Sequence, residues 1–233
     1  MAARYGADRR RTAGRRARRA LRAAALALAA SALAPAVFAN TVAFDGGWTE
    51  QRFSLFSSND YTQAGDTLKV VSDGTVSLLW KPLPEGFRDA RRASWRWSVS
   101  ASPPPTDLTR KGGDDRALSL YFVFLPPDRA DAYRGRDVTA LLDAAEARVL
   151  MYVVGGRAGD ARVLPTPYLG DRGRTIPLRP AGTGAWSETV DLAEDHRRAF
   201  GAPPAALVGL AVSADGDDTD SMVRARLSDL VIR

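Results

Sequence analysis

The chain has 233 residues, 45% of them hydrophobic and 26% charged, which is the mix of an ordinary soluble domain and excludes a disordered, fibrous or multi-span membrane chain. Its formal charge of +6 is concentrated at the start: residues 1–39 hold nine arginines and one acid, leaving 24 basic and 26 acidic residues from Asn40 onward, a net of −2. A mildly acidic body argues against a nucleic-acid partner, and no nucleic acid is expected.

Residues 1–39 run from an Arg-rich start into the apolar stretch Ala23 to Ala34 and then Pro35-Ala36-Val37-Phe38-Ala39. Basic, apolar, then small-residue is the order of a cleavable signal peptide. The twelve apolar residues fall short of the roughly 20 that span a bilayer, so no stable membrane anchor is expected after cleavage. Val37 and Ala39 place the cut before Asn40. The adjacent pair Arg18-Arg19 leaves open whether export uses the general or the twin-arginine route. The expected location is periplasmic or secreted. There is no cysteine, which rules out disulfides, thiol nucleophiles and thiolate metal sites.

From Asn40 to Arg233 one domain is expected. Short alternating segments separated by Gly, Pro and Asp clusters predict an all-β, antiparallel sandwich with one or two short helices in its connections. Strands are expected at Arg52 to Phe56, Thr67 to Val71, Val76 to Trp80, Ser94 to Val99, Leu118 to Leu125, Val149 to Val154, Thr175 to Leu178, Leu207 to Ser213 and Met222 to Ile232. In Ser94-Trp95-Arg96-Trp97-Ser98-Val99 strict alternation sends Trp95, Trp97 and Val99 to a buried face and Arg96 and Ser98 to the other. The near-continuous apolar run Leu118 to Leu125 predicts a central strand covered on both faces. Helices are expected over Asp137 to Ala147 and from an Asp191 cap, with Glu194 three residues on, to a stop at Gly201.

The string Lys111-Gly112-Gly113-Asp114-Asp115-Arg116-Ala117-Leu118-Ser119-Leu120-Tyr121-Phe122-Val123-Phe124, behind Trp95-Arg96-Trp97, resembles an uncharacterised family of exported bacterial proteins, domain of unknown function 3047. Trp186, Val190-Asp191-Leu192, Phe200-Gly201, the strand Val208 to Ala214, Asp215-Gly216-Asp217-Asp218-Thr219 and Leu227-Ser228-Asp229 continue that resemblance. It departs at Ser119, where an arginine is common in the family, and at Val154, where a tryptophan is. The resemblance implies an exported β-rich domain and no established activity. The opening Phe44-Asp45-Gly46-Gly47-Trp48 and the closing strand Arg224 to Ile232 also resemble jelly-roll carbohydrate-binding modules, which implies that the first and last strands meet.

Sorting residues by face singles out Arg96, Ser98, Ser119, Tyr121, Tyr152 and Asp215, with Ser213, as one polar and aromatic groove for a ligand, provided that their strands are neighbours. Asp215, Asp217, Asp218 and Asp220 place four carboxylates around a glycine turn, which suits calcium or a solvated turn. No other cofactor is expected. His196, the sole histidine, lies in a charged helical stretch and is expected on a solvated face rather than in a catalytic triad. The leading functional expectation is a monomeric, non-catalytic binder of a polar ligand such as a glycan or a cell-envelope polysaccharide. The alternatives are a carbohydrate hydrolase or lyase using Asp114, Asp115, Asp215 or Asp217, and an envelope structural or assembly factor.

Overall fold

Alternating side chains need two apolar faces to bury against each other, and the strands supply them on two sheets. The computed structural model describes residues 40–54, 57–133, 136 and 138–233. The expected signal peptide and the Asp137 cap lie outside these residues, as does the end of the expected strand at Leu55 and Phe56.

One sheet contains β1 (Asn40–Thr41), β3 (Asp60–Ala64), β4 (Thr67–Asp73), β6 (Arg92–Ala101), β11 (Gly184–Asp191) and β13 (Met222–Ile232), in the order β11-β6-β13-β4-β3 with β1 also on β13. The other contains β2 (Thr49–Arg52), β5 (Val76–Pro82), β7 (Arg116–Leu125), β8 (Arg148–Gly155), β9 (Leu164–Thr166), β10 (Gly170–Arg179) and β12 (Ala206–Asp215), in the order β2-β5-β12-β7-β8-β10-β9. The expected all-β sandwich is thus present, and its first and last strands pair, Asn40 opposite Ile232. One correction concerns strand direction: β8 and β10 are parallel. The short β9 runs back antiparallel to β10, so the chain re-enters the sheet in the same direction as β8.

The core between the sheets takes Trp95, Trp97 and Val99 from β6 and Leu118, Leu120, Phe122 and Phe124 from β7. Trp95 and Trp97 meet edge to face with ring centres 5.4 Å apart, and the Trp97 indole donates to Glu188 at 3.0 Å. Arg96, between them in sequence, is exposed, as alternation requires. Strand β7 lies between β12 and β8 and is buried on both faces, apart from a half-buried Tyr121.

Of the two expected helices, the first is shorter, Val138–Asp143. After it the chain closes two tight turns, Ala144 N–H to the Leu141 carbonyl and Ala147 N–H to the Ala144 carbonyl, before β8 begins. The second spans Leu192–Phe200. Asp191 accepts from the Glu194 N–H at 2.9 Å, and Gly201, at φ 73°, closes the helix with its N–H on the Arg197 carbonyl.

His196 corrects the expectation of a solvated face. Leu192, Asp195, His196 and Ala199 recur at helical spacing and form the inward stripe, so both polar residues are buried. Each finds partners there: Asp195 accepts from the Tyr152 hydroxyl at 3.0 Å and from Arg198 at 2.8 Å. The His196 ring sits between Phe124 and Phe200, with Nδ1 2.7 Å from the Ala202 carbonyl. A carbonyl only accepts, so Nδ1 carries the proton. Burial holds the imidazole below its ordinary 6.5, outweighing the Ala202 bond. The unfolded chain therefore takes up a proton near pH 6.5 that the folded chain resists, and stability falls as pH drops below that value. We expect His196→Gln to remove up to about 1.4 kcal/mol per pH unit of that dependence. Urea midpoints of both proteins at pH 7 and 5.5 check it; parallel curves would refute it.

Candidate functional site

Along β12, Leu210, Val212 and Ala214 enter the core, which sends Ala211, Ser213 and Asp215 to the outer face of the seven-stranded sheet. On β7 the same rule puts Ser119, Tyr121 and Val123 on that face, where Ser213 stands opposite Ser119 and Ala211 opposite Tyr121. Part of the face is roofed by Val138, Leu141, Ala144 and Ala147 of the helical connection. The rest is a cleft of about 390 Å³. Leu78, Trp80, Val123, Val149, Met151 and Ala211 give it apolar walls, and Phe53 and Tyr168, each more than half exposed, also line it.

One end of the cleft is polar and is organised by Arg116. Its Nη1 donates to Asp114 Oδ2 and to Asp215 Oδ2, both at 2.9 Å. Its Nε donates to the Ser119 hydroxyl at 2.6 Å and its Nη2 to the Tyr121 hydroxyl at 3.0 Å. All three charged side chains are more than nine-tenths buried. Arg116 reaches this face through a bulge. On β7, Arg116 opposes Gly155 while Leu118 opposes Val154, so Ala117 is an extra residue against β8. In a regular strand, two residues before Leu118, Arg116 would share the parity of Leu118 and point into the core. Gly155 is required opposite: a Cβ there would lie 2.6 Å from the Cβ of Arg116.

Two carboxylates around one guanidinium leave an acid excess in a dry place. Burial raises the pKa of Asp215 to about 8 against the pull of Arg116, and the neighbouring Asp217 adds to the rise. Burial raises Asp114 as well. Arg116 stays firmly charged in spite of its burial, held by Tyr121, Asp215 and Asp114. At neutral pH the cluster therefore favours a proton on Asp215 beside the charged Arg116. The second oxygen of each acid, Oδ1 of Asp114 and of Asp215, is buried without a hydrogen-bond partner, and both residues line the cleft.

Of the six residues expected in one groove, Ser119, Tyr121 and Asp215 come together. Arg96 and Ser98 do not: they lie on the outer face of β6, in the other sheet, on the opposite side of the sandwich. Tyr152 does not either. On β8 it points inward with Leu150 and Val154, in contact with Trp95 and Phe122. Both faces of β8 are apolar, so its alternation carried no parity.

The four acids of the expected calcium loop do not converge. Asp215 turns to Arg116, and Asp220, at φ 50°, lies against Gly74. Asp217 and Asp218 instead gather with Asp115, their ligand oxygens within 4.8 Å of one another. Asp115 is already engaged, accepting from the backbone of Asp218 and Thr219 and from the Thr219 hydroxyl. It ties the turn after β12 to the loop before β7.

A family model described as "Protein of unknown function (DUF3047)" matches residues 46–231. The chain belongs to this family. No curated protein matches the sequence. Among solved structures, the chain is similar to the xyloglucanase domain of NopAA from Sinorhizobium fredii, solved with cellobiose: 10% identity, 83% of this chain and 96% of that one, TM-score 0.40. It is also similar to the family 11 xylanase from Neocallimastix patriciarum, at 12% identity, 84% and 95% coverage and TM-score 0.39. A third likeness is to the K3 cleaved adhesin domain of Lys-gingipain from Porphyromonas gingivalis, at 14% identity, 84% and 98% coverage and TM-score 0.36. These are likenesses of fold.

Sequence reasoning passed over Arg116 and the cleft walls. A residue-level signal existed in Asp114-Asp115-Arg116, three charges directly ahead of a strand buried on both faces, where an ionic group is retained only with a partner.

Proposed function

We propose that this family member is an exported, non-catalytic binding protein whose cleft takes a small ligand with an apolar body and a polar end. The observation that carries this reading is the cleft itself, apolar along its length and closed at one end by buried carboxylates that each keep an oxygen free of protein partners. A glycan meets this description through the C–H faces of its rings, which would lie on Trp80, Tyr121 and Tyr168, with hydroxyls toward Asp114 and Asp215. Hydrolysis by those two acids is less well supported. The Arg116 guanidinium stands between them, in the space that a scissile bond and its water would need.

Calorimetry on the purified protein with octyl glucoside and a panel of envelope and plant oligosaccharides tests the binding reading. Binding is expected for at least one of them, to be lost in Ala211→Phe and Met151→Trp at unchanged circular dichroism, with no reducing ends released. Release of reducing ends would make the protein a hydrolase; binding that survives both variants would place it elsewhere. Export carries its own test: protein recovered from the periplasm or medium is expected to begin at Asn40 or within a few residues of it, and recovery of residues 1–39 intact on cytoplasmic protein would overturn it.

A further inference from the structure

We infer that the polar end of the ligand is an amine, bound as an ammonium between the free oxygens of Asp114 and Asp215. The inference rests on the cleft reading above and names the chemistry that reading leaves open. It starts from the charges that face this end of the cleft. Strand β7 contributes Arg116 and Tyr121, the loop before it Asp114, strand β12 Asp215, the turn after it Asp217, and the segment before β10 Tyr168, whose ring carries the Lys111 ammonium 5.3 Å from its centroid; Asp115 and Asp218 gather with Asp217. That is five carboxyl groups against the Arg116 guanidinium and the Lys111 ammonium. Arg116 is also largely committed: Nε, both hydrogens of Nη1 and one of Nη2, four of its five N–H donors, are used within the cluster. It has little left to offer an anionic ligand.

The unsatisfied groups are carboxyl oxygens, acceptors once Asp215 gives up its proton. Asp114 Oδ1 and Asp215 Oδ1 are buried and without partners, on side chains more than nine-tenths buried. An alcohol donates one hydrogen and so satisfies one of them. A primary ammonium donates three and brings the positive charge that the acid excess lacks. The apolar walls ask for a hydrocarbon or ring body on that nitrogen. An amphipathic amine is therefore the ligand class, and an amino group on a sugar or an alkyl chain presents the same chemistry.

Charge balance gives the inference a signature that shape alone would not. In the free protein the excess is relieved by a proton on Asp215, whose pKa is raised to about 8 by burial. An ammonium takes over that role, so binding below about pH 8 releases a proton and tightens as pH rises from 6.5 to 8, while the amine itself stays charged. A neutral ligand releases none.

The test uses three probes of one chain length, octylamine, octanol and octanoate, titrated calorimetrically into the purified protein. Octylamine is expected to bind at least about tenfold tighter than octanol, the worth of one charge-assisted hydrogen bond. Octanoate is expected to bind weakest. Titrations of octylamine in buffers of different ionisation heat should show a proton released at pH 7. In Asp215→Asn the preference for amine over alcohol should shrink to less than about threefold and the proton release should vanish. Equal binding of octylamine and octanol, or strongest binding of octanoate, overturns the amine and leaves the cleft reading intact. If none of the three binds while a sugar does, the amine is likewise overturned. If no probe and no sugar binds, both readings fall.

Discussion

Trp97→Ala is expected to lower stability by about 3 to 5 kcal/mol, the range for losing a buried large aromatic. The ring is 2% exposed, meets Trp95 edge to face, and donates from its indole to Glu188, which would keep only Arg179. Its sequence neighbour supplies the control. Arg96 faces solvent and, among the described residues, has one ion pair, to Asp229 at 3.4 Å, so Arg96→Ala should shift stability by no more than about 0.5 kcal/mol. Urea midpoints of the two variants check this; comparable losses would mean that the face assignment of β6 is wrong.

Removing the cation from the polar end of the cleft is expected to be as severe. Arg116→Met leaves Asp114 and Asp215 buried beside each other without their shared partner, and breaking such a pair on one side costs about 3 to 5 kcal/mol. The loss has a direction in pH. Both acids have raised pKa values already, and without Arg116 they rise further, so the variant folds best as a protonated pair and should be least stable at high pH. Neutralising the acids as well, in the triple variant Arg116→Met, Asp114→Asn, Asp215→Asn, should recover most of the stability and flatten the dependence. Thermal or urea unfolding at pH 5, 7 and 8.5 decides it. A triple variant no more stable than Arg116→Met would show that the loss comes from packing rather than charge.

What the sequence disclosed follows the strength of each local signal. Trp95, Trp97 and Val99 were assigned to the core from alternation alone, and the helix Leu192–Phe200 from its caps, because these signals reside in contiguous residues. The strands that escaped notice are β1, β3, β9 and β11, and β2 (Thr49–Arg52) shares only Arg52 with the strand expected over Arg52 to Phe56, where Phe53 and Ser54 are bends. Of these, β3 and β11 are the edges of one sheet and β9 an edge of the other. Edge strands bury less and carry polar side chains, as Asp60-Tyr61-Thr62-Gln63-Ala64 does, so their pattern is faint.

The site was legible only in part, for two reasons that are not local. Arg96 and Ser98 were placed on the correct face of their strand, but which sheet receives that strand depends on long-range pairing with β11 and β13. Arg116 was hidden by the bulge at Ala117, which reverses the parity that alternation would assign.

The position of β13 bears on when this protein can fold. Residues 222–232 form the strand between β6 and β4, and they also hold β1. Until residues 222–232 are made, β4 and β6 are two strands with a gap between them, their apolar faces lacking the neighbour that aligns them. The sandwich therefore closes only after residue 232 is made, and its central pairings bridge most of the chain. Such non-local β pairings form slowly, and a chain cut before residue 222 would lose the middle of a sheet.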